Sequence, residues 1–220
     1  MKCCFAAVAV PLVVAASAHA GPPLICHPIA IGQAQSLPWS SQGEPLAESY
    51  DLKNLVGDTL AILNHSTPVL VRMETLRRAT IYAKQDPQAA KELLAKLLAR
   101  THAADTAGHP DALAIFDAGY LAEAYKQQLG DGSQNPASGI DGYVQVKKAI
   151  ELRGGEDPQM EFAAALMTLT GPKSAHREHV LRATAAAKKD PGLAENLASH
   201  WGPKGGDTIG EVFAKTAAPK

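Results

Sequence analysis

The chain of 220 residues is 46% hydrophobic and 20% charged, with 21 basic and 22 acidic side chains and a net charge of −1. This composition is too apolar for an intrinsically disordered protein, and the chain lacks the Gly-X-Y period of a collagen. A nearly neutral chain also lacks the positive field that holds a phosphate backbone, so we expect no nucleic acid partner. A chain of about 200 residues can bury one substantial hydrophobic core.

Residues 1–20 have the pattern of a secretory signal peptide. Lys2 supplies a short positive region, an apolar run follows over Phe5–Ala16, and Ala18-His19-Ala20 offers the small residues that signal peptidase recognises. The apolar run is shorter than the roughly 20 residues that span a bilayer, so an uncleaved anchor is the weaker alternative. We therefore expect cleavage before Gly21 and an exported protein, periplasmic or extracellular, with no membrane span afterwards.

One cysteine, Cys26, remains once the predicted signal peptide is removed together with Cys3 and Cys4. Exported proteins meet oxidising conditions, but a single cysteine cannot form an internal disulfide. Cys26 is therefore a free thiol, the link of a disulfide-bonded homodimer, or a metal ligand. The fold must be held together by the burial of apolar surface.

Residues 21–50 are rich in proline, serine and glycine and show no sustained helical period, because prolines exclude a long helix. The segment nevertheless contains apolar side chains at intervals, such as Ile29, Leu37 and Trp39. We predict an extended strap that lies against the domain, with a flexible linker as the alternative. Trp39 is then either the anchor of this strap or part of a recognition peptide.

From Asp51 to Trp201 the pattern predicts one helix after another. Aspartate or threonine before proline marks many of the starts, because the side chain caps free N–H groups and proline fits the first turn. These start signals stand at Asp51, Thr67-Pro68, Asp86-Pro87, Pro110, Asp141, Asp157-Pro158, Pro172 and Asp190-Pro191. Apolar residues follow at helical spacing, and strand-like alternation is missing. We predict an all-α fold of about eight antiparallel helices, arranged as stacked hairpins in a short α-solenoid or bundle.

Two internal loops and a tail complete the predicted organisation. The loops are expected at Thr101–His109 and at Gly130–Ile140, where glycine, serine, asparagine and proline cluster. The regular part should end near Gly202, and residues 202–220 should form a tail that frays at its end.

The chain also matches itself in one ungapped register, which places residues 66–98 on residues 170–202. Glu74, Arg78 and Asp86 fall on Glu178, Arg182 and Asp190 in this register. The match indicates an internal duplication, although two alanine-rich hairpins with the same packing demands are the alternative. In architecture the pattern resembles the HEAT and tetratricopeptide helical-repeat families, over about Asp51 to Trp201. The resemblance implies a groove along the helices, binding of a protein or peptide, and no catalytic residues.

Arg78 and Arg182 are the first candidate binding residues, because a guanidinium group can bind carboxylates or phosphates. Each follows a glutamate by four residues, a spacing that places acid and base on the same helix face. An ion pair within the helix is therefore the competing use of each arginine. The main hypothesis is an exported helical-repeat binding or scaffolding protein, with no cofactor, that recognises a protein or peptide.

The second hypothesis is an exported metal-binding or redox protein. Cys26 and His27 offer a thiolate beside an imidazole, and His176 and His179 lie three residues apart on a predicted helix. The histidine pair lacks the four-residue spacing of a zincin, and adjacent Cys26 and His27 need further ligands from elsewhere. The sequence has no Gly-X-Ser-X-Gly elbow, so it predicts no assembled catalytic site.

Overall fold

A computed structural model describes residues 22–40, 47, 49–130, 132 and 135–201. All regular secondary structure in these ranges is helical, which confirms the predicted all-α fold. The predicted signal peptide at 1–20 and the predicted tail at 202–220 lie outside the described residues. None of the described helices combines the length and the apolar composition needed to cross a membrane.

The described part of the chain contains nine α-helices and two short 3-10 turns. The turns are Leu52–Asn54, directly before α2, and Ala187–Lys189, directly after α8. The α-helices are α1 Pro23–Cys26, α2 Leu55–Ile62, α3 Val69–Ala83, α4 Pro87–Thr106, α5 Ala112–Leu129, α6 Gly142–Leu152, α7 Pro158–Met167, α8 Lys173–Ala186 and α9 Pro191–Trp201. The predicted strap at residues 21–50 is described over 22–40, 47, 49 and 50, and it holds a one-turn helix at α1, where the sequence predicted extended chain. Below, the strap means residues 22–40.

Aspartate caps begin several of these helices, as local capping chemistry predicts. The side chain of Asp86 accepts hydrogen bonds from the main-chain N–H groups of Gln88 and Ala89. The same kind of bond is made by Asp111, Asp141, Asp157 and Asp190. Thr67, predicted to cap α3, does not do so: its hydroxyl donates to the carbonyl of Ile62, and Pro68 occupies the cap position.

The first internal loop is shorter than predicted. Helix α4 continues to Thr106, because alanine-rich residues after Thr101 favour a further helical turn. The chain then turns at Gly108, whose φ of 74° suits glycine. Helix α5 begins at Ala112 rather than at Pro110, since Asp111 supplies the cap.

Helix α5 lies in the middle of the core and packs against α3, α4 and α6. All its residues from 114 to 122 are buried, which explains why this stretch is apolar on every side apart from Asp117. The α5–α6 contact is close, because a Cβ atom on Gly119 would lie 2.7 Å from the carbonyl oxygen of Gly142. Helices α7 and α8 also pack extensively on each other, whereas α3 and α4 each pack more on α5 than on one another. The regular stacking of hairpins stays a prediction.

The two halves of the predicted duplication lie in different surroundings. Helix α3 is buried over most of its surface, whereas α8 is largely exposed. The side chain of Glu74 is 1% exposed, while that of its counterpart Glu178 is 59% exposed. The matched glutamate–arginine pairs therefore do not form two equivalent sites, although the duplication itself stays a prediction.

Candidate functional site

The strap is held against the helices by apolar side chains. Leu24 and Leu37 are each 1% exposed, and Ile25 and Ile29, which lie between them in the sequence, are also buried. The first of these side chains belong to α1, which contacts α3, α5 and α7. We call the surface of α3, α5, α7 and α9 that receives residues 22–40 the strap groove.

A buried carboxylate lies at the centre of the strap groove. Glu74 of α3 accepts the main-chain N–H of Ile29 at 2.9 Å, and it accepts bonds from Arg77 Nε at 2.7 Å and Arg78 Nε at 2.7 Å. Burial alone would raise the pKa of Glu74, but the hydrogen bonds and charge of Arg77, with the bond from Arg78, outweigh it and lower that pKa. Glu74 is therefore ionised at neutral pH.

The two arginines connect this carboxylate to the strap. Arg77 Nη1 donates to the carbonyl of Ile25 at 2.9 Å, and Arg78 Nη1 donates to the carbonyl of Leu37 at 2.6 Å. The guanidinium carbons of Arg77 and Arg78 lie 4.7 Å and 5.5 Å from the centre of the Trp39 ring, within cation–π range. The predicted binding residues Arg78 and Trp39 thus meet each other. Arg78 also forms the predicted intrahelical pair with Glu74.

Further polar side chains bind the strap near Trp39. Tyr82 packs edge-on against the Trp39 ring at 6.3 Å, and its hydroxyl donates to the carbonyl of Pro38 at 2.7 Å. The hydroxyl groups of Ser36 and Thr75 lie 2.9 Å apart. The strap is therefore fixed on both sides of the Leu37 anchor.

Helices α5 and α9 bind the beginning and the middle of the strap. The Asn196 side chain accepts the N–H of Ala30 at 2.8 Å and donates to the carbonyl of the same residue at 2.9 Å. Gln127 accepts the N–H of Leu24 at 2.8 Å. No pattern in the sequence predicted that Asn196 or Gln127 would bind the strap. The arginine and glutamate residues inside the apolar helix α3 were the one available signal of a buried polar site.

Arg182 lies in a separate cluster on α6, α7 and α8. Its guanidinium binds the buried carboxylate of Glu161 at 3.1 Å and also pairs with Glu178 on its own helix. His179 Nδ1 contacts the other oxygen of Glu161, and His179 Nε2 lies 2.8 Å from the Tyr143 hydroxyl. Arg182 is half-exposed, and its ion pairs in the described part of the chain are with Glu161 and Glu178 rather than with residues of the strap.

The structure places the predicted metal ligands with different partners. His176 Nδ1 donates to the carbonyl of Ala165 at 2.9 Å, whereas His179 binds Glu161. Cys26 is exposed, and the ring of His27 lies 5.5 Å from that of His200. Within the described ranges, no group of three or more His, Cys, Asp or Glu side chains is arranged to hold a metal ion.

The strap groove therefore brings the candidate residues Arg78 and Trp39 together on one surface that is both polar and apolar. Comparisons with protein-family models, with curated proteins and with solved structures found no match to this chain. What the groove can do chemically follows from its own geometry. Its side chains bind main-chain N–H and carbonyl groups of residues 22–40, which are non-helical after α1, and its apolar surface receives the side chains of this segment.

Proposed function

We propose that the chain is an exported helical binding protein that holds an extended peptide segment of a protein partner in the strap groove. The observation that supports this proposal is the way the groove binds residues 22–40. Its side chains hydrogen-bond to main-chain groups of Leu24, Ile25, Ile29, Ala30, Leu37 and Pro38. Because main-chain groups are common to all peptides, such a groove accepts different sequences that present apolar side chains at suitable positions.

The pattern of charge in the groove favours an extended peptide over other ligands. Glu74 accepts a main-chain N–H, while Arg77 and Arg78 donate to main-chain carbonyls. The fixed order of this acceptor and these donors therefore matches the N–H and carbonyl groups of a peptide that runs in one direction along the groove. The bonds to Leu24 and Ile25 go to the one-turn helix α1. A long helix could not satisfy the bonds to Ile29, Ala30 and Leu37, because the N–H and carbonyl groups in its interior are already paired.

In this proposal the strap competes with the partner. Cleavage before Gly21 would leave the strap attached to the domain only through its C-terminal end. The strap could then leave the groove while the helices stay in place. A short tether gives the strap an effective concentration on the order of millimolar, so a partner segment must bind well to displace it. Only partner segments with enough affinity to displace the strap would then bind in the groove.

Peptide selection tests the proposal with the full-length protein and a strap-loosened variant. Ile29→Asp with Leu37→Asp places charges at two buried anchors while leaving the groove residues unchanged. The matched control, Gln33→Asp with Gln35→Asp, adds the same charge at exposed strap positions. Circular dichroism would first establish that all three proteins have the same helix content.

We expect the strap-loosened variant to enrich peptides that carry apolar residues at the spacing of Ile29 and Leu37. The control and the unmodified protein should enrich them much more weakly. Enrichment that is equal in all three proteins, or peptides without the anchor spacing, would count against the strap groove as a binding site.

A further inference from the structure

The strap groove binds Leu37, Pro38 and Trp39 by different kinds of contact. The side chain of Leu37 belongs to the hydrophobic core, and its carbonyl accepts a bond from Arg78. The carbonyl of Pro38 accepts a bond from the hydroxyl of Tyr82 at 2.7 Å. Trp39 contributes its ring, which is partly buried against the core. Since any residue offers a carbonyl, the identity of a bound side chain matters most at the positions of Leu37 and Trp39.

Two guanidinium groups and a phenol ring contact the ring of Trp39. The guanidinium carbons of Arg77 and Arg78 lie over this ring, 4.7 Å and 5.5 Å from its centre. The ring of Tyr82 lies edge-on to it, with 6.3 Å between the two ring centres. A guanidinium at such a distance is attracted by the negative charge on the face of the ring, most strongly for tryptophan. We call Arg77, Arg78 and Tyr82 the aromatic site, because these contacts favour an electron-rich ring over other apolar side chains.

The residues of the aromatic site are positioned by contacts that do not involve the strap. Arg77 and Arg78 both bind Glu74, which lies three and four residues earlier on the same helix. The ring of Tyr82 packs against that of Tyr50, with 4.8 Å between the ring centres. These contacts can persist when the strap leaves the groove. A partner segment then meets groups that are already in place, which reduces the entropy cost of binding.

Pro38 suits its place between the two selective positions. Proline has no N–H group, and the bonds in this part of the groove go to the carbonyl groups of Leu37 and Pro38. Proline also disfavours helix at the residue before it, and the chain is non-helical here. We infer that the aromatic site selects partner segments in which an aliphatic residue is followed two positions later by tryptophan, with proline accepted between them. This inference rests on the proposed function, because it assigns the sequence of the partner segment at the same groove.

The test compares labelled peptides of residues 22–40, with Cys26 replaced by serine, by fluorescence anisotropy. Each peptide is titrated with the full-length Ile29→Asp, Leu37→Asp variant. One peptide carries tetrafluorotryptophan at position 39, which changes the shape of the ring little but withdraws the negative charge from its face. We expect this peptide to bind about five- to tenfold more weakly than the peptide with Trp39, because the attraction of the two guanidinium groups is lost.

A matched control peptide moves the ring to another place on the strap. It combines Trp39→Ala with Gln35→Trp, so that the peptide still has one tryptophan, at a position that is exposed in the structure. We expect it to bind at least ~tenfold more weakly than the peptide with Trp39. Equal affinity of the three peptides would overturn the inference and leave the proposed function standing. If the peptide with Trp39 itself does not bind saturably, the proposed function fails and the inference fails with it.

A second measurement uses the intact chain in case the Ile29→Asp, Leu37→Asp variant does not fold. Trp39→Phe keeps an aromatic ring at position 39, whereas Trp39→Leu keeps an apolar side chain without a ring. Hydrogen exchange at the bonded N–H groups of Ile29 and Ala30 reports how often the strap leaves the groove. Exchange should be at least ~threefold faster in Trp39→Leu than in Trp39→Phe. Equal rates would overturn the inference, because any apolar side chain would then be sufficient at this position.

Discussion

The Glu74 carboxylate accepts the main-chain N–H of Ile29, 45 residues earlier in the chain, at 2.9 Å. Arg77 and Arg78 bind the same carboxylate and reach onward to strap carbonyls. One ionised side chain thus organises the contact between the strap and α3. The strap groove should depend on Glu74 more than on any exposed charge of the helices.

Glu74→Gln should destabilise the protein strongly. The substitution leaves two arginines beside a neutral amide, in a position where the original carboxylate is 1% exposed, and breaking a buried ion pair typically costs about 3–5 kcal/mol. Urea unfolding followed by circular dichroism measures this loss. Glu178→Gln is the matched control, because the same residue on α8 forms an exposed pair with Arg182 that contributes about 0–1 kcal/mol. Equal losses in the two variants would contradict this role of Glu74.

Stability should fall in acid because of the same carboxylate. The pKa of Glu74 is lower in the folded protein than in the unfolded chain, where it is about 4.3, so its contribution is complete above that pH. The contribution is lost as the pH falls through the folded pKa, when the proton neutralises the partner of Arg77 and Arg78. Unfolding free energies measured from pH 6 to pH 2 should show this loss in the unmodified protein, and a smaller loss in Glu74→Gln.

Asp117 should have the opposite effect on stability. Its pKa is about 7 in the folded protein and about 3.9 in an unfolded chain, so between these values the folded state binds the additional proton. The Asp117 contribution therefore makes the protein less stable as the pH rises from 4 to 7. Urea midpoints across this range should change less in Asp117→Asn, and an unaltered pH dependence would show that Asp117 titrates normally.

The close crossing of α5 and α6 predicts a strong effect of one methyl group. A Cβ atom at Gly119 would lie 2.7 Å from the Gly142 carbonyl oxygen and 2.8 Å from Gln145 Cβ, so Gly119→Ala should cost about 1–3 kcal/mol. Gly57→Ala is the control, because this helical glycine of α2 has open space around it and alanine favours a helix by about 1 kcal/mol. In thermal unfolding, the midpoint temperature of Gly119→Ala should be lower than that of the unmodified protein, and the midpoint temperature of Gly57→Ala should not be lower.

The helices were predictable from sequence because their start signals act locally. Asp86 needs only its own neighbours, Gln88 and Ala89, to form a cap. The end of α4 was predicted less well, since the residues after Thr101 have no strong stop signal before Gly108. Local chemistry thus specified the capped helix starts, whereas the start of α5 and the end of α4 each differ from the prediction by a few residues.

The candidate site was only partly predictable, because its parts come from distant segments. The spacing of Glu74 and Arg78 indicated their ion pair, but it gave no reason to expect the carbonyl of Leu37 beside Arg78. Trp39 was identified as a possible anchor without its partners. The sequence match with Arg182 suggested a second equivalent site, whereas burial depends on where each helix packs and differs between α3 and α8.

The most direct test of peptide binding uses the strap itself as the ligand. A labelled peptide of residues 22–40, with Cys26 replaced by serine, is titrated by fluorescence anisotropy into the full-length Ile29→Asp, Leu37→Asp variant. Our account predicts saturable binding that unlabelled peptide displaces, and that weakens when Asn196→Ala removes the two bonds to Ala30. An absence of saturable binding, or binding that Asn196→Ala leaves unchanged, would contradict the proposal that the strap groove is a peptide-binding site.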